Sequence, residues 1–351
     1  AFDGFRDILS VKRIQASDVS NCIPRYNWTS GNVYTQYSDT NASLFPTTIN
    51  PASASTFYVL TEDNNVYKCI DNNRGAASTV KPTGVSTAII TTADGYRWKF
   101  MYRISAATAL KFLTTNYMPV KYLTADDSSA QWDVQTAAAN GAISHYTITS
   151  NGSAYLSASN TFSGITNSTV MQLASDASGT DDIYNGSTIF ISSGLGSGQL
   201  RRIINYSGAS KTITTNNAFT TTPNTSSAYI VGPNIIVRGD SGASAALVAT
   251  AYVSNCAGGQ IRKISPIAVG AGYSTANVVV SANSSWGSGA VIVPIISPQG
   301  GHGADPIDEL AAHNVMISVQ LTGVEANTFP ANNDFRVIGI ARDLKLRGGQ
   351  W

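Results

Sequence analysis

Side chains that could perform chemistry are sparse in this sequence, and the histidines are the first to consider. There are three, His145, His302 and His313, in a chain of 351 residues. Hydrolysis by a serine nucleophile requires a histidine held beside the serine and a carboxylate, and nothing around His145 marks such a site. His302 and His313 flank Asp305, but a third metal ligand at a recognised spacing is missing. We therefore interpret His302 as part of a flexible glycine turn and His313 as a residue near a helix end.

Two further patterns invite a chemical interpretation. The segment 194–199, Gly-Leu-Gly-Ser-Gly-Gln, has the composition of a phosphate-binding loop. A dinucleotide loop has the spacing G-x-G-x-x-G and opens a helix, whereas residues 200–204 predict a strand, so this loop is predicted to join two strands. Adjacent aspartates occur at 126–127 and 181–182, and strand alternation would point the two carboxylates of each pair apart, which disfavours a glycosidase. We predict no catalytic residue, no metal, no cofactor and no enzyme activity.

Composition favours a β-rich protein. Charged residues make up 12% of the chain, about half the usual share in soluble domains. Ser, Thr, Asn and Gly supply the missing polarity and favour turns and short strands over helices. The 16 Tyr, 11 Phe and 5 Trp add bulk that suits strands.

Charge and hydropathy exclude several classes of partner. The formal net charge of +1 gives no electrostatic reason to expect nucleic acid or an anionic membrane. No apolar run approaches the roughly 20 residues of a membrane span. Three scattered cysteines are too few for a disulfide framework and favour folding in a reducing cytoplasm.

The clearest strand prediction covers residues 95–104. Large apolar side chains stand at every second position: Tyr96, Trp98, Phe100, Tyr102 and Ile104. Because strand side chains point alternately to opposite faces, one face is predicted to be aromatic and the other mostly cationic. Two interpretations stay open for the intervening Arg97, Lys99 and Arg103: a solvated outer face, or an interface that meets acidic groups of a partner chain.

Periodicity and capping signals predict further elements. Strands are predicted at 56–60, 66–70, 116–120, 187–192, 200–206, 228–231, 315–321 and 335–341. Short helices are predicted at 2–14, at 106–113 with Ser105 as N-cap, and after Asp305 with Pro306 in the first helical position.

The middle of the chain contains an internal repeat. Five residues recur in the same order and spacing, first as Gly141, Ile143, Gly152, Tyr155 and Ala158, then as Gly259, Ile261, Gly270, Tyr273 and Ala276. Each copy predicts a strand, a glycine turn followed by a tyrosine, and a second strand. A chain that leaves such a motif, builds a β module and returns to the motif indicates an inserted domain. We therefore predict core residues at 1–123 and 300–351, with an inserted Gly/Ser/Thr-rich β domain at 124–299.

The two ends of the chain carry a series of segments that resembles a known family. In order they are Ile23-Pro24-Arg25 with Trp28, Val66-Tyr67-Lys68-Cys69, Asp94-Gly95-Tyr96 with Trp98, Asn116-Tyr117 with Pro119-Val120, and Phe329-Pro330 with Phe335-Arg336, Ile338 and Ile340. This series resembles the baseplate wedge proteins of T4-like contractile-tailed phages, the gene product eight family. It is similar to versions from phages of marine cyanobacteria in its Pro-x-Gly-Gly-His-Gly-x-Asp-Pro segment at 298–306. The likeness covers 20–123 and 298–345 but not the middle, where 194–203 with Tyr206 resembles a small β module of phage tail proteins.

The resemblance implies a β-sandwich subunit that forms a homodimer, contacts other baseplate wedge subunits and has neither enzyme activity nor a cofactor. It implies a virion protein, assembled in the host cytoplasm, that helps to build the baseplate of a contractile tail. The expected fold is therefore mainly β: a β-sandwich core with a few short helices and an inserted β-rich domain. The Gly/Ser/Asn/Tyr-rich loops of the insert leave one alternative open, a receptor- or glycan-binding tail protein that contacts the host surface.

Overall fold

The computed structural model describes residues 14–44, 56–240, 248–281 and 287–318. Within them the chain is mainly β with a few short helices, as composition predicts. The strands are β1 (Val19–Pro24), β2 (Tyr58–Leu60), β3 (Asn65–Asp71), β4 (Ile90–Thr91), β5 (Arg97–Arg103), β6 (Tyr117–Val120), β7 (Ile143–Ser153), β8 (Ala158–Thr161), β9 (Gly164–Ile165), β10 (Val170–Gln172), β11 (Thr188–Ser193), β12 (Leu200–Ser207), β13 (Thr212–Thr215), β14 (Ala228–Gly232), β15 (Asn234–Gly239), β16 (Thr250–Ala257), β17 (Gln260–Ala268), β18 (Ala276–Ser281), β19 (Ser288–Ile296) and β20 (Asn314–Ile317). The α-helices are α1 (Ala106–Phe112), α2 (Ala130–Thr136) and α3 (Pro306–Glu309), and short 3-10 turns lie at Ala16–Asp18 and Ala42–Leu44.

Two antiparallel sheets enclose the first hydrophobic core. One has the strand order β20-β1-β6 and the other β2-β3-β5-β4. Ile23 of β1 and Met118 of β6 pack in one cluster with Tyr58 of β2 and Tyr102 of β5. Because both sheets contribute to this cluster, they face each other across a shared core, as in a β-sandwich.

The four-stranded sheet is covered on its second face as well. Tyr67 of β3 and Trp98 and Phe100 of β5 form another cluster there, together with Tyr34 and with Val134 of α2. Every residue of β3 is consequently buried. This sheet has no solvated face in its centre, which bears directly on the charged residues that it carries.

A β-bulge in β5 corrects one prediction about its faces. Tyr67 lies opposite Phe100 and Val66 lies opposite Tyr102, so Met101 is an extra residue without a partner of its own. A bulge shifts the alternation of side chains along the strand. Tyr102 and the following Ile104 therefore lie in the first core and not on the face of Trp98. The prediction of a single aromatic face through Ile104 is wrong beyond Phe100.

The chain between 158 and 232 forms a separate seven-stranded antiparallel sheet with the order β8-β14-β11-β12-β13-β10-β9. Its core cluster draws all its buried residues from the range between Phe162 and Val231. The strands predicted at 187–192, 200–206 and 228–231 are confirmed as β11, β12 and β14. The glycine loop at 194–199 joins β11 to β12, as predicted, with Gly194, Gly196 and Gly198 at positive φ.

Most of the internal repeat lies in the third core, and its two copies bond to each other. The first copy supplies β7 and β8, the second β17 and β18, as predicted. The backbone N–H of Tyr155 donates to the carbonyl of Gly259 at 3.0 Å, and that of Tyr273 donates to the carbonyl of Gly141 at 3.1 Å. Both tyrosine rings are buried in one cluster with residues of β15, β16 and β19. The tyrosine that follows each glycine turn therefore forms a backbone hydrogen bond to the other copy.

Several local predictions are confirmed at the capping residues. The Ser105 hydroxyl accepts from the Thr108 N–H and begins α1, and Asp305 accepts from the N–H groups of Ile307 and Asp308 and begins α3. Helix α2 was not predicted, although its N-cap Ser129 was a usable signal. The predicted helix at 2–14, apart from Ile14, and the predicted strand at 335–341 lie outside the described residues.

Candidate functional site

Two lysines face each other in the centre of the four-stranded sheet. Lys68 of β3 and Lys99 of β5 are register partners, and they are 0% and 4% exposed. The ammonium of Lys68 donates to the carboxylate of Glu309 in α3, which is 3% exposed. The other carboxylate oxygen accepts from the N–H groups of Gly303, at 2.6 Å, and Asp305, at 3.2 Å. Glu309 thus holds the segment that follows Pro298 against the sheet.

Burial sets the electrostatics of these lysines. Desolvation lowers the pKa of Lys68 even though Glu309 opposes that shift. Desolvation also lowers the pKa of Lys99 from 10.5 to about 8. The Lys68 ammonium lies 4.7 Å from the centre of the Tyr37 ring, and the Lys99 ammonium donates to the Thr87 carbonyl at 2.5 Å. Each charge therefore has partners inside the chain.

His302 lies beside this cluster and corrects another prediction. It does occupy a glycine turn, but the turn is buried: His302 is 6% exposed and packs edge-on against Tyr37 with ring centres 5.0 Å apart. Burial and the nearby charges of Lys68 and Lys99 hold its pKa well below 6.5. A Cβ on Gly303 would lie 2.5 Å from Cγ1 of Val134, so the absence of a side chain there permits the close packing. The turn is therefore a packed element and not a free surface loop.

A second polar group connects the sheet to β7. Nδ1 of His145 lies 3.4 Å from Oδ2 of Asp71 at the end of β3. Burial raises the pKa of Asp71, but His145, the N–H of Asn73 and the charge of Arg97 together outweigh burial and leave this pKa below its usual value. The guanidinium of Arg97 in β5 donates to the carbonyl of Ser144, which precedes His145 in β7. Burial lowers the pKa of Arg97. Sequence reasoning passed over His145 because its partner lies far away in the chain.

The three predicted interface cations do not form one surface. Lys99 is buried inside the chain, so neither a solvated nor a partner-facing position holds for its side chain. Arg97 is half-buried and bonded to Ser144. Arg103, beyond the bulge, is exposed, and an interface role stays a prediction for it alone. The physical reason is that the turn around His302 and strand β7 cover the face that the alternation pattern left open.

The carboxylates of the acidic pairs accept hydrogen bonds within the chain, three of them from residues two or three positions ahead and one from a distant loop. Asp126 and Asp127 accept from the N–H groups two residues ahead of each. Asp181 accepts from the Gly208 N–H, and Asp182 accepts from the amide of Asn185. Within 14–44, 56–240, 248–281 and 287–318, no three His, Cys, Asp or Glu side chains are grouped so as to hold a metal ion. None of the helices in these ranges has the length and apolarity to cross a membrane.

Comparisons with other proteins add no assignment. No protein-family model, no curated protein and no solved structure matches the chain. Function must therefore be argued from the geometry of the chain and from the residues that carry the family resemblance.

Proposed function

We propose that this chain is a non-enzymatic structural subunit of the tail baseplate wedge of a contractile-tailed phage, where it forms a dimer and joins other wedge proteins. One observation carries the proposal: the segments within 14–44, 56–240 and 287–318 that resemble the wedge family pack together although they are far apart in sequence. The strand of Ile23 pairs with that of Pro119, and the strand of Lys68 pairs with that of Trp98. The glycine–histidine turn at 298–306 closes over Lys68 through Glu309. Residues that pack in one core depend on one another, so we expect the members of a family to have them as a set.

The surface and interior also suit an assembly protein. Val19 and Ile317 are register partners on β1 and β20, and both are exposed, as is Val315 nearby. A row of exposed apolar side chains on neighbouring strands favours contact with another protein. The buried Lys68–Glu309 ion pair and the buried contact of His145 with Asp71 hold distant segments in one arrangement. These features support a rigid part that fits against neighbouring chains.

Labelling of the intact particle tests the proposal. Antibodies against the purified chain, coupled to gold, would be bound to tails of the phage that encodes it and imaged by electron microscopy. We expect label at the baseplate before and after sheath contraction. Label confined to the tips of fibres would refute the wedge role and favour host recognition.

Oligomeric state gives an independent test. Size-exclusion chromatography with light scattering should find a dimer of the purified chain. A stable trimer, as is usual for fibres and tailspikes, would contradict the proposal. Charge reversal at the exposed Arg103 should leave the dimer folded and weaken its association with co-expressed wedge subunits. Unchanged association would indicate that Arg103 is an ordinary solvated residue without an interface role.

A receptor- or glycan-binding role remains the second candidate, and one observation favours it. The glycine loop at 194–199, with Arg201, Thr220 and Thr221, lines an open cavity of about 780 Å³. Shallow sites with hydroxyl and amide groups suit sugars. A glycan array probed with the full chain would support this role by selective binding to one class of sugar, and uniform background would remove it.

A further inference from the structure

A cavity of about 330 Å³ lies between β5, the start of β7 and the turn around His302. Arg97 and Lys99 of β5 line one side, and Ser144 of β7 and His302 also line it. The remaining wall is largely apolar, with five alanines beside larger side chains from Ile89 and from the end of β17. The size lies at the lower end of the range of small-molecule sites. Polar groups therefore converge on a space that the chain's own side chains do not fill.

The polar groups that line this cavity include hydrogen-bonding atoms with no partner in the described part of the chain. Both ring nitrogens of His302 and the hydroxyl of Ser144 are buried and unpaired there. Their residues are only 6% and 2% exposed. Buried polar atoms are nearly always paired, and each one that is not calls for an explanation. Two such residues on one cavity, from different elements, point to a ligand that completes them.

Donors for an anion are also present. A guanidinium has five N–H groups, and Nη1 of Arg97 donates one hydrogen bond to the Ser144 carbonyl. The Lys99 ammonium has three donors and bonds to the Thr87 carbonyl. A neutral imidazole offers one N–H, and a hydroxyl can also donate. The four side chains can therefore surround an acceptor-rich ligand from several directions.

The charges around the cavity do not balance. The cations of this region are Lys68, Lys99 and Arg97, and the carboxylates are Asp71 and Glu309. An unbalanced buried charge is costly, and a bound anion would offset it.

We propose that this cavity binds a tetrahedral oxyanion, phosphate or sulfate, either as the free ion or as the group of a small molecule. Arg97 and Lys99 supply positive charge, while His302 and Ser144 supply hydrogen bonds. A tetrahedral anion offers four oxygens to donors on different sides, whereas a planar carboxylate offers two. The bound anion would tie β5, β7 and the glycine–histidine turn together at one point. The site does not depend on the baseplate role.

Calorimetric titration of the full chain tests the site. Inorganic phosphate, inorganic sulfate and glycerol phosphate would be added separately in buffer without other oxyanions, at constant ionic strength set by sodium chloride. We expect saturable binding of at least one probe with one site per chain. Tighter binding of glycerol phosphate than of the inorganic ions would identify the ligand as an organic phosphate, and the reverse order would identify a free ion. Absence of saturable binding for all three would overturn the proposal.

Substitutions locate the binding. Lys99→Met removes the ammonium and keeps the aliphatic stem, and it should weaken binding at least tenfold. Arg103→Met removes an exposed cation from the same strand and should leave the affinity unchanged. His302→Phe keeps the ring and removes nitrogens that have no bond in the described chain, so it should fold and bind several-fold more weakly. If Lys99→Met does not fold, His302→Phe decides the question. Equal affinity in His302→Phe and the unmodified protein would overturn the site.

Discussion

Replacement of Glu309 by Gln isolates the charge of the buried ion pair from its other contacts. Glu309 receives the Lys68 ammonium on one oxygen and the N–H groups of Gly303 and Asp305 on the other. Gln keeps the size of the side chain and one acceptor oxygen, so the backbone contacts can remain. The substitution leaves Lys68 as a buried cation without its carboxylate.

The expected loss follows from the burial of both partners. The side chains of Lys68 and Glu309 are 0% and 1% exposed. Removal of one partner of a buried pair typically costs about 3–5 kcal/mol, because an uncompensated charge stays behind. Replacement of both partners by uncharged side chains of similar volume is often nearly neutral. Lys68→Met combined with Glu309→Gln should therefore recover most of the stability that Glu309→Gln loses.

Denaturant unfolding followed by tryptophan fluorescence measures the effect, since Trp98 is buried in the same sheet. Glu62→Gln is a matched control, because Glu62 pairs with Lys81 on the surface. Exposed pairs contribute little, so this control should unfold almost as the unmodified protein does. The reasoning fails if Glu309→Gln loses no more stability than Glu62→Gln. It also fails if the double variant is no more stable than Glu309→Gln.

Three further outcomes are expected. The pKa of Lys99 is about 8 in the folded chain and 10.5 without burial. Between these values the unfolded state binds more protons than the folded state, so stability should rise from pH 8 towards pH 10 relative to Lys99→Met, by up to about 3 kcal/mol. Parallel pH profiles of the two proteins in urea unfolding would contradict this. Gly141→Ala should lower the thermal unfolding temperature far more than Gly198→Ala. Both glycines have positive φ, but a Cβ at position 141 would collide with backbone while position 198 is open. Similar losses in the two variants would show that only φ matters. Trp98→Ala should lower the free energy of unfolding by about 3–5 kcal/mol. Leu110→Ala, at an 89% exposed position, should leave the denaturation midpoint nearly unchanged. Equal effects of the two substitutions would argue against the assigned core.

Local features of the fold could be predicted from the residues that form them. Ser105 and Asp305 identified two helix starts because a capping side chain bonds to backbone only two or three residues away. The glycine loop before Leu200 was predicted as a strand connection because positive φ at glycine is a local property. The internal repeat was visible because both copies need the same glycine and tyrosine. The repeat did not indicate that the backbone N–H of each tyrosine bonds to a glycine carbonyl of the other copy.

The buried ionic cluster could not be predicted in the same way. Lys68 and Glu309 are separated by 241 positions, and no local pattern marks either as the partner of the other. Alternation correctly placed Lys99 opposite to Trp98 in the strand, but it could not show that the turn around His302 would cover that face. The bulge at Met101 likewise depends on pairing with β3.

The sequence by itself determined a mainly β chain with few charges, some of its strands and the turn at 194–199, and it contains no recognised catalytic pattern. It did not indicate β1, β15, β16 or β19. The tertiary structure alone decided which faces are buried, which charges are paired and where polar groups converge on a cavity. The physical reason is that backbone preference acts over a few residues. Burial and charge pairing instead depend on which distant segment of the chain packs on each face.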